Sequence, residues 1–214
     1  MDNKIKRFQK AYILFTIAQL FIILGLFSYG TQIKALSDWL YIFTIIELVG
    51  HVLIIIASTM LFRYNNNYFL FFITSIVSLF INIIAIVGLE STEDLTVAWA
   101  RGLAISGDIL LCLIYVYFFM GTRDYFVENG LTGNVKRSKM GYIFIIVSTI
   151  VRNIISFVRT FSIVKTNYIA SAVLRYGSLL IEFITYTFIF VVLMIMIVHM
   201  QKKRKESALL DEKE

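Results

Sequence analysis

Residues 68–89 read YFLFFITSIVSLFINIIAIVGL, and this stretch decides the fold of the chain. It contains no charged side chain, and its polar members carry only hydroxyl or amide groups. A helix of roughly 20 mostly apolar residues is long enough to cross the hydrocarbon core of a bilayer. The stretch therefore predicts a transmembrane helix.

The composition of the whole chain agrees with this interpretation. Of its 214 residues, 59% are apolar, 16% are charged and none is proline. Globular domains are about 45–50% apolar and about 25% charged. The balance excludes a disordered chain and argues against a soluble enzyme, and a single cysteine excludes a disulfide scaffold.

Six windows of the sequence have the length and apolar character of a membrane span. Residues 11–30 are uncharged, like residues 68–89. The window 141–163 contains Arg152 and Arg159. Insertion of a helix with a central arginine costs about 2.5–3.5 kcal/mol, so the prediction of this span needs independent support. We therefore expect an all-α fold, a single transmembrane domain over 1–214 with six helices, for which three helical hairpins are one possible arrangement. The predicted spans are 11–30, 40–62, 68–89, 97–121, 141–163 and 169–199.

The distribution of positive charge supports six spans and predicts their orientation. Fourteen of the 20 lysine and arginine residues lie in the segments on the N-terminal side of the spans, and the opposite loops contain only Lys34 and Lys165. Cytoplasmic segments are enriched in lysine and arginine. Both termini, including the tail 200–214, are therefore expected in the cytoplasm of a cell-membrane protein. The net charge of +6 follows this pattern, so we predict the lipid bilayer as a partner and no nucleic acid.

Ionisable residues inside the predicted spans are the most informative feature for function. Such groups are expensive in hydrocarbon, so they face the interior of the bundle or a wet cavity. Several are spaced by seven residues, which returns a helix to nearly the same face after a rise of about 10 Å. The set consists of Glu47, His51, Arg101, Asp108, Arg152, Arg159, Arg175 and Glu182.

The predicted depth of these residues places a polar cavity in the outer half of the bundle. Four arginines and one amide could bind an anionic or zwitterionic small molecule or a lipid headgroup, because a guanidinium pairs bidentately with carboxylate or phosphate. The predicted ligand-binding residues are Asn82, Arg101, Arg152, Arg159 and Arg175. The predicted charge-pairing or proton-relay residues are Glu47, His51, Asp108 and Glu182. The alternative is an internal ion-pair network that only fixes the packing of the helices.

Two classes of function remain open at this point. The first is a transport or solute-binding protein that uses the outer-half cavity. The second is a non-transporting membrane partner, such as a sensor, an immunity-type protein or an accessory subunit, with a docking loop at 122–140. No catalytic motif is present, and two distant histidines do not predict a metal site or another cofactor. Small residues at 98, 102 and 106 predict that the fourth helix is the most enclosed.

Overall fold

The computed structural model describes residues 2–30, 37–91, 97–130, 132–159, 161 and 167–211, and all ordered elements within these ranges are helices. Each of the six helices is long and apolar enough to cross a membrane. The all-helical, six-helix prediction is therefore confirmed at this level. The helices are α1 (Asp2–Gly30), α2 (Ser37–Leu61), α3 (Asn66–Ser91), α4 (Val97–Glu128), α5 (Thr132–Val158) and α6 (Tyr168–Asp211).

The six helices form a closed, antiparallel ring. Each helix packs against its neighbours in the chain, and α6 packs against α1 to complete the ring. The helices of each predicted hairpin pack together. Helix α2 also packs against α3, and α4 packs against α5, so the hairpins are not separate units. We call the end at which α1, α3 and α5 begin the basal end, and the opposite end the distal end.

The stretch 122–140 is not a loop, and that prediction is wrong. Helix α4 continues to Glu128 and α5 begins at Thr132, so the described part of the turn is Asn129 and Gly130. Gly130 has a φ of 67°, a left-handed conformation that glycine adopts without the steric cost of a Cβ and that commonly ends helices. Charged residues such as Arg123 end the apolar run but do not end the helix.

Aromatic side chains fill the basal half of the ring. The rings of Phe15 and Phe118 stack at 4.1 Å between centroids, and those of Phe8 and Tyr125 stack at 3.8 Å. This packing brings α4 across the interior onto α1. The basal aromatic cluster comprises Phe8, Tyr12, Phe15, Tyr64, Tyr68, Phe71, Phe118, Phe119, Tyr125 and Phe126.

Three hydroxyl groups satisfy one another inside this cluster. Tyr12 of α1 hydrogen-bonds to Thr122 of α4, and Tyr68 of α3 lies 3.2 Å from the Tyr12 hydroxyl and 3.0 Å from that of Thr122. All three side chains are fully buried. The triad therefore joins three helices across the interior without leaving a buried hydroxyl unpaired.

Helix α1, and not α4, is the most enclosed of the six, so that prediction is also wrong. Within the described residues, 56% of the apolar window of α1 is buried, against 33% for α4. The small residues of α4 do not produce the expected close approach, because a Cβ added at Gly102 or Gly107 would meet no atom within 4 Å. The close approach occurs between α1 and α2, at Gly25 and Gly50.

Candidate functional site

A charged layer crosses the ring on the distal side of the aromatic cluster, with Arg152 of α5 at its centre. The guanidinium Nη2 donates to Asp108 Oδ1 of α4 at 3.0 Å and lies 2.9 Å from Glu182 Oε1 of α6. It also interacts with the hydroxyl of Tyr186, one turn basal to Glu182. One arginine of α5 thus bridges α4 and α6, the two helices that flank α5 in the ring.

Glu47 of α2 completes the charged layer. Its position follows from a close helix contact, since a Cβ added at Gly25 of α1 would lie only 2.6 Å from the Glu47 Cβ. The carboxylate is close enough to Glu182 to interact with it electrostatically. Among the described residues it has no ion pair. The layer therefore joins three carboxylates and one arginine from four helices.

A neutral polar layer lies between the charged layer and the aromatic cluster. Asn82 Nδ2 of α3 is 3.0 Å from His51 Nε2 of α2, and the hydroxyl of Tyr115 in α4 donates to Oε1 of Gln19 in α1. With this amide orientation Asn82 donates, so the His51 proton resides on Nδ1. Four helices contribute one side chain each to these two pairs.

Several buried polar atoms of this layer have no hydrogen-bond partner. They are His51 Nδ1, Gln19 Nε2 and Ser78 Oγ, whose side chains are at most 3% exposed. Buried polar groups in folded proteins are almost always satisfied by protein, water or ligand. The neutral layer therefore has unused hydrogen-bonding capacity.

Three of the predicted arginines lie about 10 Å distal to the charged layer. Neighbouring helices run in opposite directions, so the distal direction is toward lower residue numbers in α4 and α6 and toward higher numbers in α5. A step of seven residues from the charged layer in that direction is about 10 Å along each helix. Arg101, Arg159 and Arg175 occupy those positions. Arg159 has a buried Nε without a partner, Arg175 is half-buried, and the side chain of Arg101 lies outside the described residues.

The described part of the ring is packed less tightly on the distal side of the charged layer than on the basal side. In the described parts of α2, α4, α5 and α6 distal to it, no side chain is buried, whereas the basal half contains almost all of the buried apolar residues. A Cβ added at Gly107 or Gly177 in this region would meet no atom within 4 Å. The charged layer thus lies where the densely packed basal half of the ring gives way to a less densely packed distal half.

The structure groups the sequence-predicted residues differently from the way their spacing suggested. Arg152 pairs with two carboxylates, and its role in ligand binding stays a prediction. His51 contacts Asn82 and not Glu47, which precedes it by one helical turn. Asn82 therefore serves the neutral layer.

Sequence reasoning did not assign Gln19, Tyr115 or Tyr186 to the site. Tyrosines inside apolar runs read as core residues, and only the partner that each finds across the ring reveals a polar role. Gln19 lies seven residues from Tyr12, and Tyr115 lies seven residues from Thr122. The two spacings match because both pairs meet across the same interface, which only the structure reveals.

No known protein family, characterised protein or solved structure matches the chain. The function must therefore be inferred from the chemistry of the layered site.

Proposed function

We propose that the chain crosses the cell membrane six times with both termini in the cytoplasm, and that it binds a small zwitterionic solute from the outer side as a transport or solute-binding protein. The orientation is supported by the lysine and arginine residues at the basal end of the ring, where α1 begins and α6 continues as a basic segment. The basal end is then cytoplasmic and the distal end faces outward.

The observation that carries this proposal is the order of the charged levels along the distal half of the ring. The deeper layer has three carboxylates and one arginine, and the arginine is already paired with two of them. The distal level, about 10 Å further out by helical rise, contains Arg159, whose buried Nε has no partner, and the backbone positions of Arg101 and Arg175. An ammonium group suits the deeper layer, and a carboxylate or phosphate suits the arginines.

This order of charge favours a zwitterion over a simple anion. An anion small enough to reach Arg152 would have to displace Asp108 or Glu182 and would approach Glu47 as well. When a zwitterion is bound with its ammonium group at the deeper layer, that group lies beside carboxylates and the anionic end of the zwitterion lies beside arginine. Its deeper end could also use the unpartnered donors Gln19 Nε2 and Ser78 Oγ.

Native mass spectrometry of the protein released gently from its own membrane tests the binding proposal. We expect a discrete zwitterionic small molecule or lipid on the wild-type chain and its loss in Arg159→Gln. The matched control is Arg123→Gln, which removes an exposed arginine at the basal end and should leave the adduct unchanged. A wild-type chain without an adduct, or equal retention in both variants, would contradict the proposal.

Single-cysteine labelling tests the orientation separately. Two variants are made in a Cys112→Ala background: Asn167→Cys, at an exposed position of the distal end, and Asn129→Cys, at an exposed position of the basal turn. A thiol reagent that cannot cross membranes should label intact cells only through Asn167→Cys. The opposite pattern would place the site on the cytoplasmic side.

A second candidate function rests on the Arg152 bridge itself. Buried ion pairs can fix helix geometry without binding a ligand, and the Arg152–Asp108–Glu182 contact joins three helices. Under this alternative the chain is a non-transporting membrane partner, such as a sensor, immunity-type protein or accessory subunit. A protein partner in place of a small adduct in the mass spectrum would favour it.

A further inference from the structure

The basal end of α5 carries positive charge where a helix favours negative charge. The first N–H groups of a helix have no carbonyl partner within it, and the helix dipole attracts anions to this end. Helix α5 begins at Thr132 and has no acidic residue in its first turn. Instead, Lys136, Arg137 and Lys139 follow within about two turns. Cations at this end are unfavourable for the helix unless an anion joins them.

Gly133, in the first turn of α5, marks a point that two side chains from different helices approach. A Cβ added at this glycine would lie 3.4 Å from Cε1 of His199 in α6 and 3.8 Å from Nη1 of Arg137. Both side chains are half-buried, and Gly133 itself is exposed. The imidazole, the guanidinium and the first turn of α5 therefore border one small exposed space, which we call the α5 notch.

The guanidinium of Arg137 is held beside the α5 notch by a neutral group. Asn134 Oδ1 accepts a hydrogen bond from Arg137 Nη1 at 2.9 Å. Among the described residues, no carboxylate forms an ion pair with Arg137. The cation is thus fixed in position at the helix end while its charge is left uncompensated by the described acids.

Two buried polar atoms in this part of α5 have no hydrogen-bond partner. They are Asn134 Nδ2, on the same amide group that holds Arg137, and Ser138 Oγ, one turn further along the same face. Both side chains are fully buried. Buried polar groups are almost always satisfied by protein, water or ligand, and both atoms can donate a hydrogen bond. Independently of the helix end, they indicate an acceptor that the described residues do not supply.

We propose that the α5 notch binds a phosphoryl group. Its tetrahedral oxygens can accept at once from the Arg137 guanidinium and from the first N–H groups of α5, with Asn134 Nδ2 as a further donor beside the guanidinium. A planar carboxylate has only two oxygens to share among these donors. Whether the phosphoryl group belongs to a phospholipid or to a soluble phosphate is decided by the experiment.

The position of the notch is compatible with a lipid headgroup. Gly133 begins the apolar window of α5, and in a chain that crosses a membrane this level lies where the headgroups meet the hydrocarbon core. The notch is at the basal end of the ring, opposite the proposed solute site. The phosphoryl site therefore does not rest on the proposed function.

Native mass spectrometry of the delipidated, full-length protein in nonionic detergent tests the proposal. The probes are phosphatidic acid, a diacylglycerol with the same acyl chains but no phosphate, and inorganic phosphate. We expect Arg137→Gln to weaken binding of the phosphate-bearing probe by about tenfold or more, since a charge-assisted hydrogen bond is lost. The matched control Lys139→Gln removes an exposed charge of the same helix and should weaken binding by about twofold at most.

The probes also identify the source of the phosphoryl group. Binding of phosphatidic acid that inorganic phosphate does not displace would assign the notch to a lipid headgroup. Displacement by inorganic phosphate, or binding of inorganic phosphate alone, would assign it to a soluble phosphate. Binding of neither probe, or binding of the diacylglycerol as tightly as phosphatidic acid, would overturn the proposal.

Gly133→Ala tests the location of the site without removing a charge, and it serves even where Arg137→Gln fails to fold. The added Cβ would make only ordinary contacts with His199 and Arg137, so the midpoint of thermal unfolding should not fall. The methyl group would occupy the notch, so binding of the phosphate-bearing probe should weaken. Binding unchanged by Gly133→Ala, or weakened equally by Arg137→Gln and Lys139→Gln, would show that the notch is not the site.

Discussion

Replacement of Arg152 by alanine removes the cation shared by Asp108 and Glu182. Both carboxylates lie within 3.0 Å of the guanidinium, and their side chains are 28% and 13% exposed. Without Arg152 they remain close together on adjacent faces of the ring with no cation in contact. The variant therefore tests whether the charged layer stabilises the fold.

The expected loss of stability is large for a single substitution. Removal of one partner from a buried ion pair costs about 3–5 kcal/mol, and the partial exposure of these carboxylates places the expectation at the lower end, about 3 kcal/mol. For a chain of this size, roughly 2–4 °C is lost per kcal/mol. The midpoint should therefore fall by about 6–12 °C.

The assay can use the single cysteine of the chain. Cys112 is half-buried in α4, so a thiol-reactive dye reports its exposure as the protein unfolds in mild detergent. The matched control is Arg123→Ala, which removes an arginine paired with Asp124 at 2.7 Å but 37% exposed. Exposed pairs contribute about 0–1 kcal/mol, so the control should shift the midpoint by less than about 4 °C.

A neutral triple variant separates charge from packing. Asp108→Asn, Arg152→Met and Glu182→Gln together remove every charge of the bridge, and replacement of a buried pair by neutral groups is often tolerated. The triple variant should recover most of the stability lost in Arg152→Ala. The reasoning is refuted if Arg152→Ala matches Arg123→Ala, or if the triple variant is no more stable than Arg152→Ala.

Four further substitutions, of which Gly102→Ala is a control, can be measured with the same unfolding assay. Gly25→Ala should cost about 1–3 kcal/mol of stability from overpacking, because its Cβ would lie 2.6 Å from the Glu47 Cβ. Gly102→Ala, whose Cβ would meet no atom within 4 Å, should be neutral or slightly stabilising. Equal effects of the two substitutions would contradict the close α1–α2 contact. Tyr12→Phe should cost about 1–2 kcal/mol, since its two buried hydroxyl partners lose a hydrogen bond; an unchanged midpoint would argue against the triad. Gly130→Ala should cost about 1 kcal/mol because of its φ of 67°, and a stabilised variant would exclude that turn.

The number and type of helices could be predicted from the sequence because they depend on local properties. Runs such as 68–89 are long and uncharged, and the length of an apolar run is sufficient to predict a span. The ends of helices were less predictable. Arg123 and Asp124 interrupt the apolar run of α4, but their side chains pair with each other at the helix surface and the helix continues to Glu128.

The partners across the ring could not be predicted, because they depend on the register between helices. Seven-residue spacing correctly indicates that two residues share a face of one helix, but it does not specify which side chain of the next helix they meet. Arg152 contacts Asp108 because α4 and α5 pack in one particular register, also seen where Gly141 meets the ring of Phe119. The same limitation hid the pairing of Gln19 with Tyr115.

The basal aromatic cluster also has an electrical consequence for the proposed membrane protein. Ions cross a membrane only along a path that supplies water or polar groups to replace their hydration. Stacked rings such as Phe15 and Phe118 interrupt that path, and the hydroxyls beyond them are already occupied by one another. A planar bilayer that contains the resting protein should therefore show no steady current under an applied voltage, and a cell could accumulate many copies without dissipating its membrane potential.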